Sequence, residues 1–268
     1  MPASTTVTGM VLSAMPVGDY DKRLVILTKE HGKITAFAKG ARRQNSALLA
    51  CSGPFSFGEF TLYAGRSSYN IMSAEISNYF AELRSDIESL YYGFYFCEFA
   101  DYITKENNDE KDVLKLLYQT LRAIAKKTIP LSLVKVIFEV KAMAINGEAP
   151  QVFQCVKCSK NPADNKKEII KGEQDTLNHR SAVYTDYRFS IKSGGILCSE
   201  CQFNDRSAIK IGTSTLYTLQ YIISKEIEKL YTFTVSEEVL HELTRCTKIY
   251  LEHYIDHQFK SLEMIMSL

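Results

Sequence analysis

Two Cys-x-x-Cys pairs, Cys155 with Cys158 and Cys198 with Cys201, constrain the fold of this chain more than any other feature. Two Cys-x-x-Cys motifs on tight turns can supply the four thiolates of a tetrahedral Zn(II) site. Four protein ligands leave the metal no open position for a water or a substrate. We therefore predict one structural zinc ion that pins a small module.

The spacing of the pairs leaves other interpretations open. The 39 residues between Cys158 and Cys198 exceed the usual zinc-ribbon gap of about 15–20 residues, so the pairs could instead be two redox-active dithiols or four unrelated buried cysteines. His179, in the polar segment 161–179, could replace one cysteine as a ligand, although a solvated loop histidine is the simpler interpretation.

Length and composition favour a globular protein. With 268 residues, 46% of them apolar, the chain can bury a full core in two domains or in one domain with insertions. The first residues show no basic-then-apolar leader, and no uncharged apolar run reaches the roughly 18 residues that span a bilayer. We expect a cytoplasmic protein with no membrane partner.

The first 80 residues alternate short β-rich segments with turn residues. In one segment, Ile34, Ala36 and Ala38 occupy every second position, which is the period of a half-buried strand. Five strands are predicted, which fit a small barrel, at 7–14, 23–28, 33–39, 55–63 and 69–76.

Basic residues are concentrated in the same region. Residues 22–43 hold seven lysines and arginines against the single acid Glu30. Cations that follow phosphates, next to aromatic rings that stack on bases, are typical of a nucleic-acid surface. The candidate phosphate contacts are Arg23, Lys33, Lys39, Arg42, Arg43 and Arg66, and the candidate stacking rings are Phe37 and Tyr69.

After residue 80 the apolar residues recur at helical spacing. One helix is predicted from about Leu131 to Asn146, with Gly147 as its C-terminal cap. Thr234 and Glu237 have the spacing of a capping box and predict the start of a last helix.

These patterns predict an α+β fold in four parts. An N-terminal five-stranded OB-fold β-barrel is followed by an α-helical domain that a four-cysteine zinc module interrupts. The expected bounds are 1–80 for the nucleic-acid-binding barrel, 81–150 for the first helical part, 151–205 for the zinc module and 206–268 for the C-terminal helical part.

No enzyme motif is visible in the sequence. It contains no Gly-x-x-x-x-Gly-Lys-Ser/Thr loop, no His-Glu-x-x-His and no Gly-x-Ser-x-Gly elbow, so we expect no catalytic centre. Two alternatives stay open: an OB-fold RNA-binding protein with a structural zinc site, and a zinc-dependent hydrolase in which one cysteine is absent from the metal shell.

Several short segments occur in an order that points to one family. They are Met15-Pro-Val-Gly-Asp-Tyr-Asp, Thr28-Lys-Glu-His-Gly-Lys-Ile-Thr-Ala-Phe-Ala-Lys-Gly-Ala-Arg-Arg, Pro54-Phe-Ser, Gly147-Glu-Ala-Pro150 before the first cysteine pair, Gly194-Gly-x-Leu-Cys198-x-x-Cys201, and Phe259-Lys-Ser-Leu262. Together they resemble the landmarks of the RecO family of bacterial recombinational repair proteins, over nearly the whole chain.

The resemblance implies a task that composition does not. RecO-like proteins bind single- and double-stranded DNA, anneal complementary strands, and work with RecR to help RecA replace single-strand-binding protein on gapped DNA, in the bacterial cytoplasm at the nucleoid. Some relatives lack the cysteines, so the resemblance assigns zinc to folding rather than to the shared activity.

Residues carry over from the family at matching positions only. The matching zinc ligands are Cys155, Cys158, Cys198 and Cys201, and the matching DNA-facing charges are Lys33, Lys39, Arg42 and Arg43. The acidic tail of the single-strand-binding protein is expected on the helical domain, where the candidate contacts are Lys126, Lys127, Lys135 and Lys141.

Overall fold

The N-terminal segments form a closed five-stranded barrel in the computed structural model, which describes residues 4–65, 68–162 and 187–266. Neighbouring strands follow the order β1-β2-β3-β5-β4, with β1 against β4 and with β3 parallel to β5. This is OB-fold topology, so the predicted barrel is confirmed. Its strands are β1 (Ser4–Val17), β2 (Asp21–Thr28), β3 (Gly32–Ala38), β4 (Phe57–Ala64) and β5 (Tyr69–Asn78).

Strand β3 shows how the sequence pattern builds the barrel. Its apolar Ile34, Ala36 and Ala38 are buried in the barrel core, while the residues between them, such as Thr35 and Phe37, are partly exposed. One face of the strand therefore packs and the other faces outward.

Gly32 at the start of β3 joins the barrel to the loop after the first long helix. Its φ is +63°, and a Cβ atom there would lie 2.4 Å from the carbonyl oxygen of Lys105. The N–H of Lys33 donates to that same carbonyl at 3.0 Å. Only glycine fits this close, left-handed position.

The rest of the described chain contains helices and one small sheet. The helices are α1 (Ile87–Ile103), α2 (Lys111–Lys126), α3 (Leu131–Ile145), α4 (Thr213–Ser224), α5 (Glu237–Tyr254) and α6 (Lys260–Met266), with short 3-10 helices at Ala81–Ser85, Gln202–Asn204 and Ile227–Lys229. The sheet has the order β7-β6-β8 and is made of β6 (Arg188–Ser190), β7 (Gly195–Leu197) and β8 (Ile209–Lys210).

The chain divides into two compact units. The first is Met1–Val134 with Gln258–Leu268, and contains the barrel, α1, α2 and α6; the second is Lys135–His257, and contains the small sheet, α4 and α5. In the first unit, the ring of Phe259 stacks on that of Phe99 with centroids 5.0 Å apart. This contact holds the C-terminal segment against α1.

The predicted end of α3 is confirmed, and the predicted start of α5 is corrected. Gly147, with φ at +81°, follows α3 as predicted. The capping box at Thr234 is wrong by two residues, because α5 begins at Glu237 and its cap is Ser236, whose hydroxyl accepts from the N–H of Val239 at 3.4 Å. Ser236 is an equally good cap, and the hydrogen bond selects it.

Across the described ranges, no helix has the length and apolar character that a bilayer crossing requires.

Candidate nucleic-acid interface and metal centre

An outward-facing row of side chains crosses four strands of the barrel. Met15 pairs with Arg23, Arg23 with Phe37, and Phe37 with Asn70. Residues that oppose each other in register project from the same face of a sheet. The row therefore places Arg23 between Met15, which is 59% exposed, and Phe37.

The basic loop after β3 is tied to the turn between β1 and β2. The N–H of Gly40 donates to Asp21 Oδ1 at 2.7 Å. The N–H of Arg42 donates to the carbonyl of Tyr20 at 2.8 Å, and its guanidinium donates to the carbonyl of Gly18 at 3.1 Å. These bonds fix the loop at the end of the barrel where Arg23 also lies.

Tyr20 belongs to this surface and was missed in the sequence. Its side chain is 52% exposed, and the guanidinium carbon of Arg43 lies 5.0 Å from the centroid of its ring. A cation over an aromatic face is attracted by the ring quadrupole. The turn of Tyr20 carries no periodic pattern; the one signal was an aromatic residue in a tight turn between two predicted strands.

Four cations of this surface lack an acidic partner in the described part of the chain. Among the residues that the structure describes, no carboxylate lies within ion-pair distance of them. Uncompensated positive charge next to exposed apolar side chains attracts phosphates and can hold bases. We call this set the barrel basic surface: Arg23, Lys39, Arg42 and Arg43, with Phe37 and Tyr20 as its rings.

Three further predicted DNA contacts do not join this surface. The ammonium of Lys33 lies 2.9 Å from Asp101 Oδ1 of α1, so its charge is already paired. Tyr69 opposes Ala36 in register and packs against the barrel core, on the face opposite to Phe37. Arg66 lies outside the described residues.

The predicted tail-docking lysines have different surroundings. Lys126 and Lys127 are exposed at the end of α2, and Lys127 Nζ lies 3.3 Å from Asp86. In the second unit, Lys135 pairs at 2.7 Å with a carboxylate oxygen of the buried Glu139.

Lys141 contributes to the fold of the second unit. Its ammonium donates to the carbonyls of Ile223 and Lys225 at 2.9 and 2.7 Å, at the C-terminal end of α4. Such a cation satisfies carbonyls that a helix end leaves without a helical partner. Lys135 and Lys141 thus have internal partners, whereas Lys126 is exposed.

The four cysteines lie in residues 151–162 and 187–212, which we call the metal module. Backbone hydrogen bonds bring its two cysteine pairs together. The N–H of Ile196 donates to the carbonyl of Gln151 at 2.9 Å, and the N–H of Val156 donates to that of Ile196 at 3.0 Å. A Cβ atom at Gly195 would lie 2.3 Å from the carbonyl oxygen of Gln151. Gly195 is therefore needed where the two segments approach each other.

The four cysteine sulfur atoms form one cluster. Their Sγ atoms all lie within 4.8 Å of one another, and Cys158 Sγ is 3.6 Å from Cys198 Sγ. A tetrahedral zinc site with Zn–S bonds of about 2.3 Å has sulfur–sulfur edges of about 3.8 Å. The four residues Cys155, Cys158, Cys198 and Cys201 can therefore hold a metal ion, and an all-thiolate tetrahedron suits zinc or iron.

The cysteine thiols of the cluster differ in pKa. Burial raises the pKa of Cys155, but N–H groups of Cys198, Cys158 and Lys157 outweigh it and lower the pKa to about 6. Burial and the neighbouring thiols raise the pKa of Cys201 to about 12. Four thiolates would repel one another, and a divalent cation at their centre offsets that repulsion.

Comparison with known proteins covers both units. Residues 1–80 match the family model described as Recombination protein O N terminal, and residues 84–263 match Recombination protein O C terminal.

Curated relatives match over nearly their full length. The DNA repair protein RecO of Alkaliphilus metalliredigens is 34% identical over 257 residues, which cover 96% of each chain. That of Acetivibrio thermocellus is 31% identical over 261 residues, 97% of this chain and 95% of the relative. That of Desulforamulus reducens is 28% identical over 256 residues, 96% of this chain and 91% of the relative.

Proposed function

The chain belongs to the RecO family of DNA repair proteins, and on that premise we propose that it is a recombinational repair mediator that binds single- and double-stranded DNA and anneals complementary strands. With RecR, it helps load RecA onto DNA coated by single-strand-binding protein, in the cytoplasm at the nucleoid. The observation that carries this proposal is the barrel basic surface, with four cations that lack an acidic partner among the described residues, the exposed ring of Tyr20 and the partly exposed ring of Phe37.

The mechanism is electrostatic and needs no catalytic centre. Two DNA strands repel each other through their phosphates, and cations that neutralise both strands at once lower this repulsion. Arg42 and Arg43, on a loop held by hydrogen bonds to the β1–β2 turn, supply such charge without a sequence preference. Phe37 and Tyr20 offer ring faces to bases in a single strand. Complementary bases then meet by ordinary pairing.

The metal in the proposal is one structural Zn(II) ion. Cys155, Cys158, Cys198 and Cys201 would hold it, and four protein ligands close its coordination shell. The ion supports the fold of its module and takes no part in annealing.

The acidic tail of the single-strand-binding protein is a partner of the first unit in this proposal. Lys126 and Lys127 are exposed in succession at the end of α2, and Lys127 is ion-paired with Asp86 at 3.3 Å. Lys126 is therefore the main contact in this proposal, since an exposed cation with no acidic partner among the described residues attracts carboxylates. Lys135 and Lys141 are left out because the fold already uses their ammonium groups.

The proposal is tested by the salt dependence of DNA binding. We compare wild type with Arg42→Glu/Arg43→Glu, using one oligonucleotide in single-stranded and duplex form at several salt concentrations. Loss of two phosphate contacts should make the slope of log K against log[salt] less negative by about 1.4 for single strands and about 1.8 for duplex. The affinity should fall for every sequence.

A matched control has the same change in net charge. Lys105→Glu/Lys111→Glu alters two exposed lysines, of which Lys105 lies beside the other end of β3, about 20 Å away by the rise of a strand. It should bind nearly as wild type does. Equal losses in the two variants, or none in the first, would refute the barrel basic surface, and a preference for a matched RNA strand would favour the RNA-binding alternative.

A further inference from the structure

The metal module displays an aromatic ring to solvent. Phe203 is 81% exposed, more than any other large hydrophobic side chain in the described part of the chain. It lies in the 3-10 helix Gln202–Asn204, directly after the ligand Cys201. The described residues of its unit leave this ring uncovered.

The turn that carries Phe203 is held on both sides by hydrogen bonds. Arg188 Nε donates to Gln202 Oε1 at 2.7 Å, and the side-chain amide of Asn204 donates to the carbonyl of Cys201 at 2.8 Å. The N–H of Gln202 donates to the carbonyl of Cys198 at 2.9 Å. The ring is therefore presented on a rigid support, and binding through it costs little ordering entropy.

The buried carboxylate of Asp205 strengthens this support. It accepts hydrogen bonds from the hydroxyls of Ser190 and Ser207, both at 2.6 Å, and these two bonds hold its pKa below the usual carboxyl range. Its negative charge is used within the module and faces no ligand.

The described residues of the metal module carry more basic than acidic side chains. Residues 151–162 and 187–212 contain six lysines and arginines against two acids. Of these acids, Asp205 is buried, and Glu200 pairs with Lys160 at 3.0 Å. Lys157, one residue before a ligand, and Arg206, three residues after Phe203, are exposed. An exposed ring with exposed cations in the same module fits a single nucleic-acid strand, because phosphates can meet the charges and a base can meet the ring.

We propose that the metal module is a second DNA contact, in which Phe203 stacks on an unpaired base of single-stranded DNA while Arg206 and Lys157 meet its phosphates. This deepens the proposed function, and rests on it for the identity of the ligand. The exposed cations Lys157 and Arg206 favour a polyanion such as DNA over an apolar protein surface, which would match the ring but leave these side chains without a counterpart. Bases in a duplex are already stacked, so the ring contact is specific for single strands.

The absence of tryptophan from the chain allows a direct test. Phe203→Trp introduces the single indole of the protein at position 203. Stacking on a base should quench its fluorescence when oligothymidine is added to the full-length, zinc-loaded protein. Tyr217→Trp is the matched control, since Tyr217 is an exposed aromatic residue, at 61%, on α4 of the same unit. Quenching at position 203 alone supports the contact. Oligothymidine that binds without changing the 203 signal, or that quenches both positions equally, overturns it.

Affinity measurements test the energetic contribution of the ring. Base–aromatic stacking predicts that Phe203→Ala binds a single strand about five- to 100-fold more weakly, with duplex affinity unchanged. Phe203→Tyr keeps the ring and should retain wild-type affinity. If Phe203→Ala keeps wild-type affinity for single strands, this inference is overturned, even where Arg42→Glu/Arg43→Glu has lost DNA binding. If Phe203→Ala binds single strands more weakly while Arg42→Glu/Arg43→Glu binds DNA as wild type does, the barrel basic surface is refuted and the Phe203 contact stands.

Discussion

At the scale of single residues, the fold separates lysines and arginines that look alike in the sequence. Lys33 pairs with Asp101 and Lys141 caps the end of α4, whereas Lys39 and Arg43 have no acidic partner among the described residues. The seven positive charges of residues 22–43 identified the region from the sequence. Which of them face solvent depends on tertiary partners, and no local pattern encodes those.

Tyr20 provides a test at this scale. Its ring lies under the guanidinium of Arg43, and a cation–π contact at an exposed site contributes about 0.5–1 kcal/mol. If DNA binding depends on that placement of Arg43, Tyr20→Ala should lower the affinity for DNA about two- to fivefold.

Tyr20→Phe is the matched variant for this measurement. It keeps the ring and should bind as wild type does in fluorescence anisotropy with a labelled oligonucleotide. Equal affinity of Tyr20→Ala and wild type would show that the ring does not position Arg43 for DNA.

At the scale of elements, each predicted feature carries a local sequence pattern, and a helix without such a pattern was missed. The alternation of β3 and the glycine after α3 are local, and both were confirmed. The short helix α6 was not predicted, because its first N–H groups are satisfied from elsewhere in the fold: those of Lys260 and Ser261 donate to the carboxylate of Glu98 at 3.1 and 3.0 Å. The four-cysteine cluster was predicted because each Cys-x-x-Cys pair is a motif that can be recognised locally in the sequence.

Metal removal tests the role of zinc at the element scale. Strands β6 and β7 are only three residues long, and such a small sheet depends on the ligands that cross-link it. A strong chelator should therefore accelerate amide hydrogen exchange in β6 and β7 while leaving exchange in β2 and β3 unchanged.

Added Zn(II) should restore the protection of β6 and β7. A cobalt-substituted sample should show the absorption of four thiolate ligands. Protection of β6 that persists after all metal has been removed would mean that the module folds without it.

At the scale of the whole molecule, a net charge of +1 conceals a separation of roles. The barrel basic surface belongs to the first unit and the metal module to the second, and each combines positive charge with an exposed ring. Average composition could not show this, because acids elsewhere in the chain balance the count. Family membership adds DNA repair, and in our proposal the two surfaces would both meet single strands.

Strand annealing tests the central claim most directly. Two complementary oligonucleotides are coated with the cognate single-strand-binding protein, and duplex formation is followed with wild type, Arg42→Glu/Arg43→Glu and Lys105→Glu/Lys111→Glu at two salt concentrations. We expect wild type and the second variant to accelerate annealing, less at high salt, and the first variant to lose the acceleration. Acceleration by Arg42→Glu/Arg43→Glu equal to that of wild type would contradict the account.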